Sequence, residues 1–321
     1  MDDKNNSVNL IDGLNAMPPK TKEPHSVPVL ERWISLAETE MSSEQSGRLS
    51  WLVASIIVTA KLQQVIDATG EGRFLLKGGA LLQHRLNVSS RATKDLDGIV
   101  RGDLEDFLVH LDENLSEPWG AIEFRRSEIT AIEMPTKVIK PLRFEMYLRL
   151  RGRVWRKIIV EISPDEGNAT SSCEEFPAPS LAGFGIPTPE RLIGLSMSYQ
   201  IAQKVHAASD PHDPPQFVNN RARDVVDLLL LKELAETTGS PSNTEIVSAI
   251  VDIFAARGRE AEELGRPVRT WPSCINAHAH WGADYAAAAE SVGVSVDLVD
   301  AVEQLNTWLD LLGSSGCDQG V

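Results

Sequence analysis

The feature that most constrains the fold is the segment from Arg73 to Val100, where an apolar run, a glycine pair, a helical stretch and an aspartate pair follow one another. The sequence RFLL at 73–76 is typical of a short buried strand, and GGALLQHRL at 78–86 turns from it directly into a helix. The sequence DLDGIV at 95–100 then predicts a second strand. This order predicts one folding unit in which the glycine pair and the aspartate pair lie close together.

The aspartate pair has a chemical consequence. Side chains alternate between the two faces of a strand, so Asp95 and Asp97 point to the same side, about 7 Å apart along the backbone. Two such carboxylates raise each other's pKa unless a cation lies between them, and Mg²⁺ held together with substrate phosphates would remove the repulsion. Gly78 and Gly79 lack Cβ atoms, so a phosphate can approach the backbone at the N-terminus of the helix. The segment therefore predicts a shared site for a metal and a triphosphate.

A third acid, Glu161, lies in the apolar sequence IIVEIS, the last strand-like run before a link rich in Pro, Ser and Gly. On a neighbouring strand it could accept a proton from an attacking hydroxyl or bind a second ion. Each element is common by itself, since D-x-D pairs are often structural and glycines after strands are often plain turn residues. The order of all of them together is the more specific signal.

The rest of the chain divides into three parts. Residues 1–27 are polar and lack periodicity, which predicts a flexible N-terminal arm. Residues 28–180 mix helical and strand-like patterns and predict an α/β domain, whereas residues 181–321 are almost wholly helical in pattern. The predicted fold class is α+β, with a mixed β-sheet domain flanked by helices and followed by an α-helical C-terminal domain. The individual predictions are helices over 28–41, 44–68, 78–86 and 103–115, strands over 73–76, 95–100, 122–129, 142–150 and 154–162, and a helix that begins at Thr188-Pro189-Glu190.

Charge limits the partners. The chain carries 31 Lys and Arg against 46 Asp and Glu, a net charge of −15 that opposes diffuse binding to nucleic acid. One segment, Arg143 to Lys157, is locally basic, with Glu145 as its single acid. It predicts either a local RNA contact or a hairpin edge protected by charge, and both interpretations stay open. The arginines assigned to an RNA contact are Arg149, Arg151, Arg153 and Arg156.

Several other classes of protein fit poorly. No run of residues is apolar enough for a membrane span and no basic-then-apolar leader opens the chain, so we expect a cytoplasmic protein. Three scattered cysteines predict no disulfide framework. Cys274, His278 and His280 match none of the usual zinc spacings. No Walker A, G-x-G-x-x-G or G-x-S-x-G motif is present.

The sequence LLKGGALLQHRLNVSSRATKDLDGIV resembles the signature of the AbiEii/AbiGii-type nucleotidyltransferases, which include the MenT toxins and belong to the DNA polymerase β-like superfamily. The family pattern is a hydrophobic strand, K-G-G-T-A-L, a basic residue ahead of Ser or Thr, and D-L-D. It also has a later helical lysine and an R-x-[KR]-D-x-x-D segment. The matching positions here are Lys77-Gly78-Gly79-Ala80-Leu81-Leu82, Arg91, Thr93, Asp95-Leu96-Asp97, Lys204, Arg221, Arg223, Asp224 and Asp227, with Trp271-Pro272 and Tyr285 as weaker matches.

The resemblance implies a Mg²⁺-dependent enzyme that transfers a nucleotide from an NTP to an acceptor hydroxyl and releases pyrophosphate. Because the toxin branch modifies tRNA 3′ ends, it implies a tRNA acceptor and a cognate antitoxin, in a toxin–antitoxin or phage-defence system. It also implies that the helical domain completes the active site, with the base, Glu161 or Asp224, left open. The implied residues are Asp95, Asp97, Lys204, Asp224 and Glu161 for catalysis, Lys77, Gly78, Gly79, Thr93, Lys204 and Arg223 for the nucleotide, and Asp95, Asp97 and Glu161 for metal.

The position of Lys204 has a physical explanation. Lys204 shares a helical stripe with residues expected in the core, and a buried lysine needs an anion, which a triphosphate would supply. The simpler alternative is a lysine that reaches solvent. Two positions depart from the family: Ala80 replaces a usual hydroxyl residue, and Gly98 replaces a larger one, which predicts looser packing beside Asp97. Transfer to a small molecule or a protein hydroxyl, and a catalytically silent nucleotide-binding protein, are the alternative functions.

Overall fold

The computed structural model describes residues 10–41, 47–86 and 93–317. The chain divides into two compact units, and the α+β class predicted from the sequence is confirmed: a mixed sheet with helices precedes a helical part. The first unit comprises Met1–Met134, Ile139–Asp165 and Cys173–Gly194, and the second comprises Pro135–Val138, Glu166–Ser172 and Leu195–Val321. The bounds of the two units therefore differ from the predicted division between residues 180 and 181.

A mixed sheet forms the centre of the first unit. Within the described residues it has eight strands, in the order β3-β5-β6-β2-β1-β8-β7, with β4 paired to β5. The neighbours β2 and β6 run parallel, as do β1 and β8, whereas β1–β2, β3–β5, β4–β5 and β5–β6 are antiparallel. The strands are β1 (Phe74–Leu76), β2 (Asp95–Val100), β3 (Ile122–Arg126), β4 (Thr130–Ala131), β5 (Leu142–Leu150), β6 (Arg153–Pro164), β7 (Cys173–Pro177) and β8 (Arg191–Leu195).

In the described part of this unit five α-helices accompany the sheet, and α3 forms the centre of its core. Almost every residue of α3 from Leu49 to Leu62 is buried, because this helix packs against β1 and β6. One face of the sheet is therefore packed and the other is partly open: along β5, buried residues alternate with partly exposed ones on the opposite face. The helices are α1 (Leu10–Ala16), α2 (Val27–Glu40), α3 (Arg48–Gln63), α4 (Gly78–Leu86) and α5 (Leu104–Asn114).

Within the flexible arm expected over residues 1–27, the structure describes residues 10–27, and part of this stretch is helical. Residues 10–16 form α1, in which Leu10 and Leu14, one helical turn apart, are both buried. The helix expected over 44–68 ends earlier, at Gln63. The reason lies just beyond it, where the Asp67 carboxylate accepts hydrogen bonds from the backbone N–H groups of Thr69 and Glu71 and forms a turn.

The helix expected to begin at Thr188 is wrong. Residues 191–195 form β8, which pairs in parallel with β1 through Leu76 and Gly194. The Thr188 hydroxyl accepts a hydrogen bond from the Leu181 backbone N–H and does not cap a helix. Because RLIGL is too short for its periodicity to separate strand from helix, the neighbouring strand decided its conformation.

The second unit contains five further α-helices up to residue 317, where the described residues end. Helix α8 begins with a capping box in which Ser242 and Glu245 satisfy each other's backbone N–H groups. Two short stretches of chain join this unit because they bind α8: the Lys137 ammonium lies 2.9 Å from Glu260, and the Asn168 N–H donates to Asp252 at 2.7 Å. The helices are α6 (Met197–Ala208), α7 (Ala222–Thr238), α8 (Asn243–Glu263), α9 (Gly282–Val292) and α10 (Leu298–Cys317).

A buried histidine joins α6 to the rest of this unit. Arg257 donates to His206 Nδ1 at 3.0 Å, and an Arg269 nitrogen lies 2.8 Å from His206 Nε2. Burial first, and then these two guanidinium groups, lower the pKa of His206 to about 2. His206 is therefore neutral at physiological pH.

Across the described ranges, no helix is both long and apolar enough to span a membrane.

Candidate active site

The candidate site is a row of charged side chains on one face of the sheet. Strands β2 and β6 place Asp97 directly beside Glu161, and β5 places Arg143 on the other side of Glu161. Asp95 lies two residues before Asp97 and shares its face. These four side chains are partly or fully exposed, whereas the intervening Leu96 lies in the core. Strand pairing thus brings together the three carboxylates that the sequence predicted, and adds an arginine.

Arg143 and Glu161 form an ion pair. The Arg143 Nε donates to Glu161 Oε1 at 2.8 Å, and a terminal guanidinium nitrogen donates to the same oxygen. Burial and the nearby Glu161 carboxylate raise the pKa of Asp95, while Arg143 and Lys94 oppose the shift. The hydrogen bond to Glu161 raises the pKa of Arg143 above its usual value. The carboxylates therefore repel one another and draw cations to this face.

The turn between β1 and α4 is fitted closely to Asp97. Gly78 has φ +65°, and a Cβ atom there would lie 2.3 Å from Asp97 Oδ2. The Lys77 backbone N–H donates to the Asp97 carbonyl at 2.9 Å. Glycine is thus required at 78 by both the backbone conformation and the approach of Asp97. Gly79 lies in the first turn of α4, where backbone N–H groups lack helical partners.

Lys77 is tethered across the sheet. Its ammonium donates to the Ser163 hydroxyl at 2.6 Å, and Ser163 donates in turn to the Gly98 carbonyl at 3.3 Å. The Thr93 hydroxyl donates to the Asp95 carbonyl at 3.1 Å. Lys77 and Thr93, two of the residues that the family resemblance assigned to the nucleotide, therefore lie beside the aspartate strand. Arg91 lies outside the described residues.

Both departures from the family pattern have structural consequences. The looser packing expected at Gly98 is wrong, because the Phe74 ring fills that space: a Cβ atom at Gly98 would lie 1.9 Å from Phe74 Cε2. Ala80 is buried, with 2% of its surface exposed, so this position of α4 faces the core. A methyl group there packs without a polar atom that needs a partner.

The donor set suits a metal that binds together with its substrate. Within residues 10–41, 47–86 and 93–317, no three His, Cys, Asp or Glu side chains are grouped so that they could bind a metal by themselves. Asp95 and Asp97 offer two carboxylates on an open face, and Mg²⁺ is commonly held by one or two carboxylates plus substrate phosphates. His280, one of the two histidines that follow Cys274, instead stacks on His212, with ring centroids 4.4 Å apart.

The second unit contains an ionic cluster centred on Lys204. The Lys204 ammonium donates to Asp224 Oδ1 at 2.7 Å and to Asp227 Oδ2 at 2.5 Å, and Lys204 is 9% exposed. Asp224 also lies 3.7 Å from the exposed Arg221. The anion that a buried lysine requires is thus supplied, in part, by two carboxylates on α7. Arg223, on the same helix, is exposed.

Sequence reasoning missed two residues of these clusters and assigned no role to a third. Arg143 was seen only as part of a basic segment, because its pairing with Glu161 depends on the register of β5 and β6. Ser163 contacts Lys77 across strand β2, and such a contact between distant segments leaves no local signal in the sequence. Asp227 was matched to the family's R-x-[KR]-D-x-x-D segment but was given no role, although its spacing of three residues from Asp224 places both carboxylates on one side of the helix.

The basic hairpin is only partly available for an RNA contact. Arg151 and Arg153 are exposed at the turn. Arg149 donates to the Gly152 carbonyl at 2.6 Å. Arg156 instead contacts the helices on the other face of the sheet, where its Nε donates to the Ser50 hydroxyl at 2.6 Å.

Comparison with known proteins identifies a family for this chain. Residues 61–309, well over half of the chain, match the family described as nucleotidyl transferase AbiEii toxin, type IV TA system. No sequence among curated proteins matches significantly. Among solved structures, the chain is similar to MenT4, a nucleotidyltransferase toxin from Mycobacterium tuberculosis H37Rv, at 13% identity over 90% of this chain and 98% of that chain, with a TM-score of 0.42.

Two further solved structures are similar over a smaller share of the chain. An antigenic nucleotidyltransferase-like protein from Paracoccidioides brasiliensis is 14% identical, with 68% of this chain and 94% of that chain covered and a TM-score of 0.34. The antibiotic-resistance factor ANT(2″)-Ia is 14% identical, with 66% and 93% covered and a TM-score of 0.32. Because all three TM-scores are below 0.5, the family assignment rests on the sequence match over residues 61–309.

Proposed function

This chain belongs to the AbiEii family of nucleotidyl transferase toxins, and from that premise we propose that it uses Mg²⁺ to transfer a nucleotide from an NTP to the 3′ end of tRNA. The observation that carries the proposal is the row formed by Asp95, Asp97 and Glu161 on one open face of the sheet. A turn with a glycine at a position that tolerates no side chain adjoins that row. Carboxylates beside a backbone that a phosphate can approach suit phosphoryl chemistry.

In the proposed reaction, the acceptor hydroxyl oxygen forms a bond to the α-phosphorus while the bond from that phosphorus to the β-phosphate oxygen breaks. Pyrophosphate leaves with that electron pair, and the hydroxyl proton passes to a carboxylate. Asp95 and Asp97 would hold Mg²⁺, which when bound neutralises charge on the phosphates. Gly78, Gly79 and Thr93 would lie along the triphosphate. Glu161, oriented by its ion pair with Arg143, is a candidate for the base.

For the residues of the helical unit, we propose the roles that the family resemblance implies. Lys204 is proposed to neutralise phosphate charge, Asp224 to orient it or to act as the base, and Arg223 to bind the nucleotide. The lysine's two hydrogen bonds to carboxylates support a positioned ammonium group. Separate Lys204→Met and Asp224→Asn variants, each measured for NTP KM and for kcat, test these assignments, because loss of phosphate binding raises KM and loss of a base lowers kcat.

The biological setting follows from the family description. A toxin of a type IV system implies an antitoxin encoded by the same organism and an NTP as substrate. We propose that the protein acts in the cytoplasm, where tRNA is found, and that its activity serves toxin–antitoxin control or abortive infection by phage. Copurification of an antitoxin and rescue of growth by that partner test this part of the proposal.

The first experiment compares the chain with Asp97→Ala in the incorporation of each α-labelled nucleotide into total tRNA with Mg²⁺. Glu175→Gln serves as the matched control, because Glu175 is an acid of the same unit that pairs with Arg191 on the surface. We expect label in tRNA with the parent and the control, and none with Asp97→Ala. Label in a protein or a small molecule would move the acceptor to those classes. No pyrophosphate release with any acceptor would indicate a silent nucleotide-binding protein.

A further inference from the structure

The order of the strands separates two sides of the candidate site. The sheet runs β5-β6-β2-β1, so Gly78 and α4 lie on one side of the aspartate strand and Glu161 and Arg143 on the other. In an in-line displacement, the attacking oxygen and the leaving pyrophosphate lie on opposite sides of the reacting phosphorus. With the triphosphate over α4, as the proposed function has it, the acceptor must approach across β6 and β5.

On that side the sheet presents an open face, which we define by Arg143, Tyr147, Lys157 and Ile159. Register places Tyr147 opposite Lys157, and all four residues share the face of Asp97. The side chains of Arg143 and Lys157 are 50% and 48% exposed, and Tyr147 and Ile159 are partly exposed. This acceptor face therefore continues directly from the carboxylate row.

The ring of Tyr147 is held in place. Its hydroxyl donates to Glu145, and the Lys157 ammonium lies 2.7 Å from another oxygen of the same carboxylate. An aromatic ring fixed on an open sheet, with cations beside it, is the arrangement on which proteins stack unpaired bases and bind the adjoining phosphates. A rigid ring also loses little conformational freedom when a ligand binds.

The charges of this face favour a polyanion over the other acceptors. The pairs that Glu145 and Glu161 form with Lys157 and Arg143 leave no net charge, so the surplus positive charge of this face comes from the cations beside Tyr147. A protein acceptor would require more apolar surface than one tyrosine and one isoleucine provide. Two more cations, Arg125 and Arg149, flank Tyr147 on the same face, together with the acid Glu123.

We propose that the acceptor face is the binding site for the single-stranded 3′ end of an RNA, with Tyr147 stacked on a base and Lys157 and Arg143 in contact with phosphates. This inference rests on the proposed function and specifies which residues bind its acceptor. It also moves the principal RNA contact from the turn of the basic hairpin to the face of its strands, since Arg156 lies on the opposite face.

The test measures tRNA affinity by fluorescence anisotropy in the Asp97→Ala background, where no transfer occurs. We expect Tyr147→Leu, which keeps apolar bulk without a flat ring, to raise Kd about 10-fold. Tyr147→Phe keeps the ring and should stay within about 2-fold of the parent. Lys157→Ala should weaken binding and reduce the slope of log Kd against log salt by about one. Arg191→Ala, an exposed arginine of β8, is the control and should change neither quantity.

The outcome separates this inference from the proposed function. With the catalytic aspartates intact, Tyr147→Leu should raise KM for tRNA and leave KM for the NTP unchanged. Normal tRNA affinity and KM in both Tyr147→Leu and Lys157→Ala, while the parent labels tRNA, would overturn the acceptor face alone. Failure of the parent to label any RNA would overturn both proposals. Circular dichroism melting of each variant shows whether a change in affinity reflects unfolding.

Discussion

Replacing Gly78 with alanine is the most direct test of how the site is built. The backbone at Gly78 has φ +65°, where an L-residue costs about 1–2 kcal/mol of stability. The added Cβ would also lie 2.3 Å from Asp97 Oδ2, so this carboxylate must retreat by about 1 Å to reach van der Waals separation. A misplacement of that size costs on the order of 100-fold in rate. We therefore expect Gly78→Ala to fold and to transfer nucleotides about 100 times more slowly.

Gly70 supplies the matched control. It has φ +86°, and among the residues that the structure describes no atom lies within 4 Å of a Cβ built there. Gly70→Ala thus has the same backbone cost without the clash. Urea unfolding should show a loss of about 1–2 kcal/mol in this variant, and labelled-nucleotide transfer at saturating NTP should be unchanged. Equal activities of Gly70→Ala and Gly78→Ala would refute the idea that Gly78 sets the position of Asp97.

Three further predictions concern stability. Gly98→Ala pushes a methyl group into the Phe74 ring and should lower the free energy of unfolding by about 1–3 kcal/mol in urea titrations. Asp227→Ala should cost about 3 kcal/mol by the same assay, because it removes one of the carboxylates that pair with buried Lys204, and adding Lys204→Met should recover part of the loss. His206 has a folded pKa of about 2 against about 6.5 when unfolded, so the stability it contributes is fully present above pH 6.5 and falls as the pH drops towards 2. The loss at pH 5 is about 2 kcal/mol, and His206→Gln should flatten the dependence of melting temperature on pH between 7 and 5.

Local features of the chain could be read from the sequence. The strand at 74–76, the glycine turn, the helix after it and the aspartate strand were all expected, because they depend on neighbours a few residues apart. The hairpin of β5 and β6 was expected for the same reason, since strand alternation and the turn at Gly152 are local signals. Apolar periodicity, turn residues and the D-x-D spacing were sufficient to predict an α+β fold and a phosphoryl-transfer site.

Only the tertiary structure decided which distant residues meet. The pairing of Glu161 with Arg143, the bond from Lys77 to Ser163 and the fit of Phe74 over Gly98 depend on strand register and strand order. Those are set by how side chains from separate segments pack in the core, which no local pattern encodes. The same reason explains β8, since a five-residue apolar run becomes a strand or a helix according to the surface it packs against. The sequence by itself determined the chemistry that the site contains, and packing determined its geometry.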